Sequence, residues 1–284
     1  MASVSRSMPV QSDGISKKNF EKLANFIYGY SGIKMPPSKQ TMLEGRLRRR
    51  LRATGKPTFD AYCDFLFKGD GLEQETIYLI DAVTTNKTDF FREPNHFTYL
   101  YKQALPNLMA SGVRSVRAWS SACSTGAEPY TMAIVLEEYA QQHGNMPYTI
   151  LATDLSTDVL ATAHKGIYPS ELVEPVPVDL RNKYVMRPVA RGNNSVRIVP
   201  RLRSKVAFGR LNLMDDRYVI GDPVHLIFCR NVMIYFDKET QADVLTRLCD
   251  CLLPGGYLFI GHSESIAGFD LPLKAVANTV FQKV

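Results

Sequence analysis

The chain has 284 residues, 45% of them hydrophobic and 22% charged, enough to bury one large core or two unequal ones. No run of about 18 apolar residues occurs, which excludes a membrane-spanning helix, and residues 1–18 are polar and Ser-rich without the apolar stretch of a secretory signal. Those residues read as a flexible tail on a cytoplasmic protein. The five cysteines (Cys63, Cys123, Cys229, Cys249, Cys251) are odd in number and scattered, which argues against a disulfide framework. Cys249 and Cys251 form a CxC without further ligands at metal spacing, so no metal is assigned. The net charge of +6 points to an acidic partner: nucleic acid, an anionic surface or an acidic protein.

Residues 19–83 read as an all-helical domain. Apolar residues recur at helical spacing in Phe20, Leu23, Ala24 and Ile27, and again in Met42, Leu43, Leu47 and Leu51. Pro36-Pro37 separates the two patterns, and Gly55-Lys56-Pro57 ends the second. A third helix is expected from Thr58 as its cap, and a fourth over residues 72–83. In the second helix Leu43, Leu47 and Leu51 form one face, with Arg46, Arg49 and Arg52 on its flank and back. Arg48 adds to the basic side, while Arg50 lies nearer the leucines and packs its stem there. Such a basic face is either a solvated surface or a docking surface for an acidic partner.

Residues 84–95 (Thr84-Thr85-Asn86-Lys87-Thr88-Asp89-Phe90-Phe91-Arg92-Glu93 and the next two) form the junction, and residues 96–284 a second domain. As a linker the junction is unusually rich in side chains able to bind a carboxylate. From Ser115 onward short Val/Ile/Leu-rich runs alternate with helical segments. Strands are expected at 116–120, 149–153, 206–208, 225–229 and 257–260, with helices at 127–143, 156–164 and 238–252. This alternation predicts an α/β fold with a parallel sheet covered on both faces. Residues 273–277 and 279–284 read as a closing hairpin about Asn278. The stretch at about 168–205 holds five prolines (Pro169, Pro175, Pro177, Pro188, Pro200) and reads as a small β insertion. In it, residues 185–189 and 196–199 flank the turn-rich Arg191-Gly192-Asn193-Asn194.

In open α/β sheets ligands bind beyond the carboxyl ends of the strands. After the first strand comes Ser121-Ala122-Cys123-Ser124-Thr125-Gly126, small and polar, running into a helix N-terminus with Glu128 in its first turn. An acid there suits a ligand carrying ammonium or sulfonium and repels phosphate, although it could also serve only to cap the helix. After the second strand comes Asp154, either an acceptor for ribose hydroxyls or a helix cap. Asn212 after the third could read an adenine edge. The segment Cys229 to Asp237 after the fourth brings Asn231 and Tyr235 to the same rim, and Leu253-Pro254-Gly255-Gly256 turns into the fifth strand.

The combination TTNKTDFFRE, WSSACSTGAEPYTMA, ATDLS, RLNL, CRNVMIYFD and LLPGGYLFIGHSES resembles the chemotaxis receptor methyltransferases, the CheR family, from about Phe20 to the C-terminus. The resemblance implies a class I S-adenosylmethionine methyltransferase (Rossmann-like) sheet with a small inserted β subdomain, preceded by an all-α domain. It implies methyl transfer from S-adenosylmethionine to glutamate carboxylates of methyl-accepting chemotaxis receptors, leaving S-adenosylhomocysteine. Carried over by motif position, Asn86, Thr88 and Arg92 line the cofactor site from the junction. Glu128 and Asp154 contact the methionine amine and the ribose in an order the sequence leaves open, Asn212 and Leu213 flank the adenine, and Arg230 and Asn231 complete the pocket. Arg92 and Tyr235 are expected near the transferred methyl, orienting substrate. A glutamate is already ionised at neutral pH, its ordinary pKa being about 4.3, so no general base is required. His262 is accordingly read as structural rather than catalytic. Arg46, Arg49 and Arg52 are expected to face the receptor's cytoplasmic helical bundle, recruiting a cytoplasmic enzyme to membrane receptors without insertion. Whether the β insertion also binds a receptor C-terminal tail peptide by strand addition stays open. Two rival readings are a nucleic-acid methyltransferase, opposed by the lack of an aromatic-interleaved basic stripe, and a catalytically silent cofactor-binding module.

Overall fold

The computed structural model describes residues 14–187 and 194–284, so most of the expected tail and residues 191–193 of the expected turn lie outside the described residues. The chain divides into two units, residues 1–84 and 85–284.

The first unit holds helices α1 (Lys17–Ser31), α2 (Gln40–Thr54), α3 (Phe59–Lys68) and α4 (Gly71–Val83). Its core is the predicted apolar stripe: Phe20, Leu23, Ile27, Leu43, Leu47 and Leu51 are buried, with Tyr62, Leu66, Leu79 and Ile80 against them. Each such side chain contributes roughly 1.5–3 kcal/mol by leaving water. Gly32 and Gly55, both left-handed, end α1 and α2, and the Thr58 side chain accepts the Ala61 N–H to start α3. Two details differ from expectation. The end of the assigned tail is not loose: Ile15 is buried, its N–H donates to Glu44 Oε1 at 2.9 Å, and α1 begins at Lys17. Arg50 does more than pack its stem. Its Nε and Nη2 donate to the two oxygens of Glu75 at 2.6 and 3.0 Å, and the Tyr62 hydroxyl donates to the same carboxylate at 3.1 Å.

The second unit opens with α5 (Pro94–Tyr99), a π-helical segment (Leu100–Ala104) and α6 (Leu105–Ala110), a region with no element expected from the residue pattern. Pro106 accounts for the π segment, because its ring clashes with the carbonyl four residues back and it offers no N–H. There follow β1 (Val116–Ser120), α7 (Ala127–Gln142), β2 (Tyr148–Asp154), α8 (Thr157–Lys165), β3 (Ile167–Pro169), α9 (Val178–Tyr184), β4 (Val185–Met186), β5 (Ser195–Ile198), α10 (Pro200–Arg203) and β6 (Val206–Arg210). The chain closes with β7 (Val224–Cys229), α11 (Lys238–Cys251), β8 (Leu252–Ile260), β9 (Leu273–Ala277) and β10 (Val280–Lys283).

Seven strands form one sheet in the order β6-β2-β1-β7-β8-β10-β9. The first five are parallel, and β10 runs antiparallel to both β8 and β9, the expected closing hairpin. This is the mainly parallel sheet expected from the alternation of strands and helices. Strand residues alternate between two buried layers. Ala118, Ile150, Leu226, Phe228 and Phe259 enter one core with α7, whereas Trp119, Ile227, Cys229, Leu258 and Ile260 enter the other with α11. Helix α7 is buried almost all round, including Tyr130, Thr131, Met132, Ile134 and Leu136.

The insertion is less purely β than expected. A three-stranded antiparallel sheet, β3-β5-β4, is joined by a 3₁₀ turn (Ser170–Val173) and α9. Of the expected first hairpin strand, Val185 and Met186 pair with β5, residues 188–189 lie outside the described residues, and β3 supplies the third strand. The prolines masked α9: Pro177 is its N-cap, and an extended residue before a helix looks locally like a loop. Among the described residues no helix is long and apolar enough to cross a membrane.

Candidate active site

The strand order reverses at β1, which pairs with β2 on one side and β7 on the other, so the crevice expected for a ligand lies beyond the carboxyl ends of β1 and β7. The loop after β1 is pulled down onto its neighbours. Ser121 N–H donates to the Phe228 carbonyl at 2.9 Å, Cys123 N–H to the Thr153 carbonyl at 2.8 Å, and Ser124 N–H to Asp154 Oδ2 at 2.8 Å. Gly126 ends the loop with φ +94°, and a Cβ there would lie 2.9 Å from both Ala163 Cβ and Tyr168 Oη. The glycine is therefore required twice, by backbone conformation and by space.

Asp154 is 9% exposed. Besides Ser124, the Ser156 N–H donates to its Oδ1 at 3.0 Å, so the carboxylate both fastens the β1 loop and starts α8. The helix-cap role weighed from sequence is thus present, on a carboxylate that also faces the β1 loop at the sheet's rim.

Arg230 is the hub. Its side chain is 2% exposed and sits over the rings of Phe97 and Phe228. Nη1 donates to Glu128 Oε2 at 3.0 Å, Nη2 to Glu93 Oε2 at 2.8 Å, and Nη2 also to the Arg92 carbonyl. Glu128 additionally accepts the Ser120 hydroxyl at 2.7 Å. Glu93 accepts Asn231 Nδ2 on its other oxygen at 3.2 Å, together with the His262 N–H. Burial pushes Glu93 up, but Arg230, Asn231 and the His262 N–H outweigh it and bring the carboxyl down to about 2. For Glu128 burial wins over Arg230 and Ser120, and its pKa is raised.

The junction residues gather at the same rim. The Asn86 carbonyl accepts the Ser124 hydroxyl at 2.8 Å, Phe91 N–H donates to Thr131 Oγ1 at 3.1 Å, and Arg92 Nη1 donates to the Lys87 carbonyl at 3.1 Å. Thr88, Arg92 and Tyr235 are half-buried, and Tyr235 ends a 3₁₀ turn (Met233–Tyr235). Asn212 lies just beyond β6 with its Oδ1 accepting Met214 N–H, while the Leu213 side chain is buried in the α11 layer. Of the residues expected from sequence, Arg230 contacts Glu128 and the Arg92 carbonyl directly and reaches Asn231 through Glu93, while Ser124 joins Asn86 to Asp154. Thr88, Asn212, Leu213 and Tyr235 lie on the surrounding segments.

Three residues escaped the sequence reading. Glu93 shares Arg230 with Glu128, His96 packs beside it with Nδ1 at 3.5 Å, and Glu264 binds the loop that carries Asn231. His96 is 1% exposed, and burial lowers its pKa to about 4, with Arg230 adding to the effect. Glu93, His96 and His262 bring ligand atoms within 4.8 Å of one another. The Glu93 carboxylate, however, already carries the Arg230 guanidinium, which opposes a second cation. Phe91, Glu93, Ser124 and Asn231 all have positive φ, and clustered backbone strain of this kind marks functional sites.

The donor set tests what ligand fits. Glu93 and Glu128 share one buried cation, Arg230, and the buried Asp154 ends the neighbouring strand β2, so the rim carries an excess of acid. A phosphate group would be repelled, while a ligand with ammonium and sulfonium charges and ribose hydroxyls is matched. The residues present therefore fit S-adenosylmethionine.

Comparison with known proteins agrees on both units. Residues 18–84 match the family model described as "CheR methyltransferase, all-alpha domain", and residues 86–281 match "CheR methyltransferase, SAM binding domain". The chain is 39% identical over 259 residues to a chemotaxis protein methyltransferase of Borreliella burgdorferi, covering 89% of this chain and 90% of that one. It is 37% identical over 266 residues to chemotaxis protein methyltransferase 2 of Pseudomonas aeruginosa, covering 94% and 93%. It is 36% identical over 269 residues to that of Escherichia coli, covering 94% and 91%. With both units matched in order and the acid-rich crevice in the second, the chain belongs to the CheR family of S-adenosylmethionine-dependent chemotaxis methyltransferases.

Proposed function

We propose that this protein methylates glutamate side chains on the cytoplasmic helical bundle of chemoreceptors, producing glutamate methyl esters. The observation that carries the reading is the excess of buried acid around Arg230 at the rim between β1 and β7, in a unit matched to a SAM-binding family. When bound, S-adenosylmethionine supplies an electrophilic methyl on a positively charged sulfur. The receptor carboxylate is ionised at neutral pH and needs no base, so the chain's task is placement and exclusion of water. Asp154, at the carboxyl end of β2, is the acceptor for the ribose hydroxyls. Glu128 and Glu93 favour the ligand's positive charge, and Asn86, Thr88, Asn212 and Leu213 border the pocket. Arg92 attracts the incoming carboxylate, and Tyr235 orients it by hydrogen bonding. In the product the O–CH₃ bond replaces the S–CH₃ bond, and the carboxylate's negative charge disappears with the sulfonium's positive one.

The docking surface in this reading is the basic side of α2. Arg49 and Arg52 are exposed, whereas Arg46 turns inward and donates to the carbonyls of Val83 and Thr84, the latter at 2.8 Å. Arg46 therefore serves the end of α4 as well as the surface. Membrane recruitment follows from receptor binding. A receptor tail peptide, where one exists, would add as a strand to an edge of the β3-β5-β4 sheet.

The test is incubation with methyl-labelled cofactor and receptor-containing membranes. Base-labile label on receptor is expected. Label on DNA or RNA, or none anywhere, would sink the proposal. Within it, Asp154→Ala should abolish S-adenosylhomocysteine binding by calorimetry, and unchanged affinity would remove Asp154 from the site.

A further inference from the structure

The segment Gly261-His262-Ser263-Glu264-Ser265 after β8 is not accounted for by cofactor or receptor contacts. Glu264 is 8% exposed, and in the described structure its carboxylate has main-chain N–H donors rather than a cation. Asn231 N–H donates to Oε2 at 3.0 Å, Gly261 N–H to Oε2 at 2.6 Å, and Met233 N–H to Oε1 at 2.8 Å. Burial raises its pKa against these bonds and one from the Ile234 N–H.

Apart from that of Gly261, those amides belong to one short stretch, the loop after β7. Asn231 is left-handed at φ +58°, a conformation that turns its main-chain N–H toward Glu264 while its side chain reaches Glu93 Oε1. Met233 and Ile234 begin the 3₁₀ turn that ends at Tyr235, and Glu264 caps that turn as a carboxylate caps a helix. The loops after β7 and β8 also touch directly. A Cβ on Gly261 would lie 2.4 Å from Asn231 Nδ2 and 2.9 Å from Asn231 N. A glycine and a buried carboxylate thus fix one loop against the other.

We propose that Glu264 is a positioning residue for methyl transfer: it holds the 231–235 loop, and with it Asn231 and Tyr235, in the geometry the site requires. This assignment rests on the proposed roles of Asn231 and Tyr235. A carboxylate is needed because every partner is a donor. A glutamine would turn an NH₂ toward an N–H, leaving a buried donor unsatisfied.

The test uses the full chain with Glu264→Gln, and Gly261→Ala as a second variant whose added Cβ would crowd both Asn231 and the Glu264 carboxylate. Amide exchange should accelerate in peptides covering 231–235 and stay unchanged over β1 and β2. S-adenosylhomocysteine affinity by calorimetry should fall at least about tenfold, equivalent to 1.4 kcal/mol. Turnover should fall with the KM for receptor little changed, a split that general destabilisation does not produce. A folded Glu264→Gln protein with wild-type affinity, turnover and loop exchange overturns the assignment. If that variant melts below assay temperature, Gly261→Ala carries the same expectation, and wild-type affinity there overturns it. Failure of the broader reading looks different, because the unmodified protein would then leave receptor unlabelled.

Discussion

Arg230 links the junction (Glu93), the first turn of α7 (Glu128) and the end of β7 through one buried guanidinium. Linkage gives this region a pH signature. Glu93 falls from an ordinary value of about 4.3 to about 2, so its stabilisation is complete above the higher value and is lost as pH falls toward the lower. His96 falls from about 6.5 to about 4, so the unfolded chain takes up a proton first, and stability declines as pH drops through that interval. Both groups therefore weaken the fold on the acid side. Glu128 and Glu264, whose pKa values burial raises, act in the opposite sense over this range, so the His96 contribution is read by difference: from pH 7 to 4.5 the urea midpoint of the native protein should fall more steeply, or rise less, than that of His96→Gln. An unaltered slope in the variant would exclude His96 as the cause. At this scale the sequence showed Asp154, Glu128 and Asn231, because they follow predicted strand ends. Glu93, His96 and Glu264 were hidden, since their roles depend on partners 137, 183 and 33 residues away in the chain.

Elements were legible wherever a local period or a stop signal existed. The leucine stripe of α2, the Thr58 cap and the parallel strands all appear where expected. Helices α5, α6 and α9 did not, because each starts at or beside a proline or is interrupted by one, and the pattern is broken before a period can show. The turn between β1 and α7 carries a sharp expectation. Gly126→Ala combines a positive φ with a Cβ contact at 2.9 Å, so it should cost about 2 kcal/mol or more. The melting temperature should fall by several degrees, with cofactor affinity reduced, and an unshifted melting curve would show that the loop yields freely.

For the molecule as a whole, the division near Thr84 separates a basic helical unit from an acid-rich crevice in the second unit. The two surfaces call for different ligands, an acidic protein and a cationic small molecule. Arg49→Glu with Arg52→Glu should leave S-adenosylhomocysteine affinity intact and cut receptor methylation at least about tenfold, a loss of 1.4 kcal/mol. Methylation by the unaltered protein should weaken as ionic strength passes about 0.15 M. Normal methylation by the double variant would make α2 a bystander. The sum of +6 could not by itself assign the partner, because it averages over units of different character.

The five cysteines are unpaired, and Cys63, Cys123, Cys229 and Cys249 are buried. Burial pushes the Cys63 thiol to about 12, that of Cys249 to about 11, and those of Cys123 and Cys229 well above the ordinary range. Since the thiolate is the reactive form, these four thiols should resist alkylation and mild peroxide in the native enzyme, leaving the half-buried Cys251 as the accessible one. In denaturant all five sulfurs should react rapidly, making iodoacetamide uptake a direct clock for global opening.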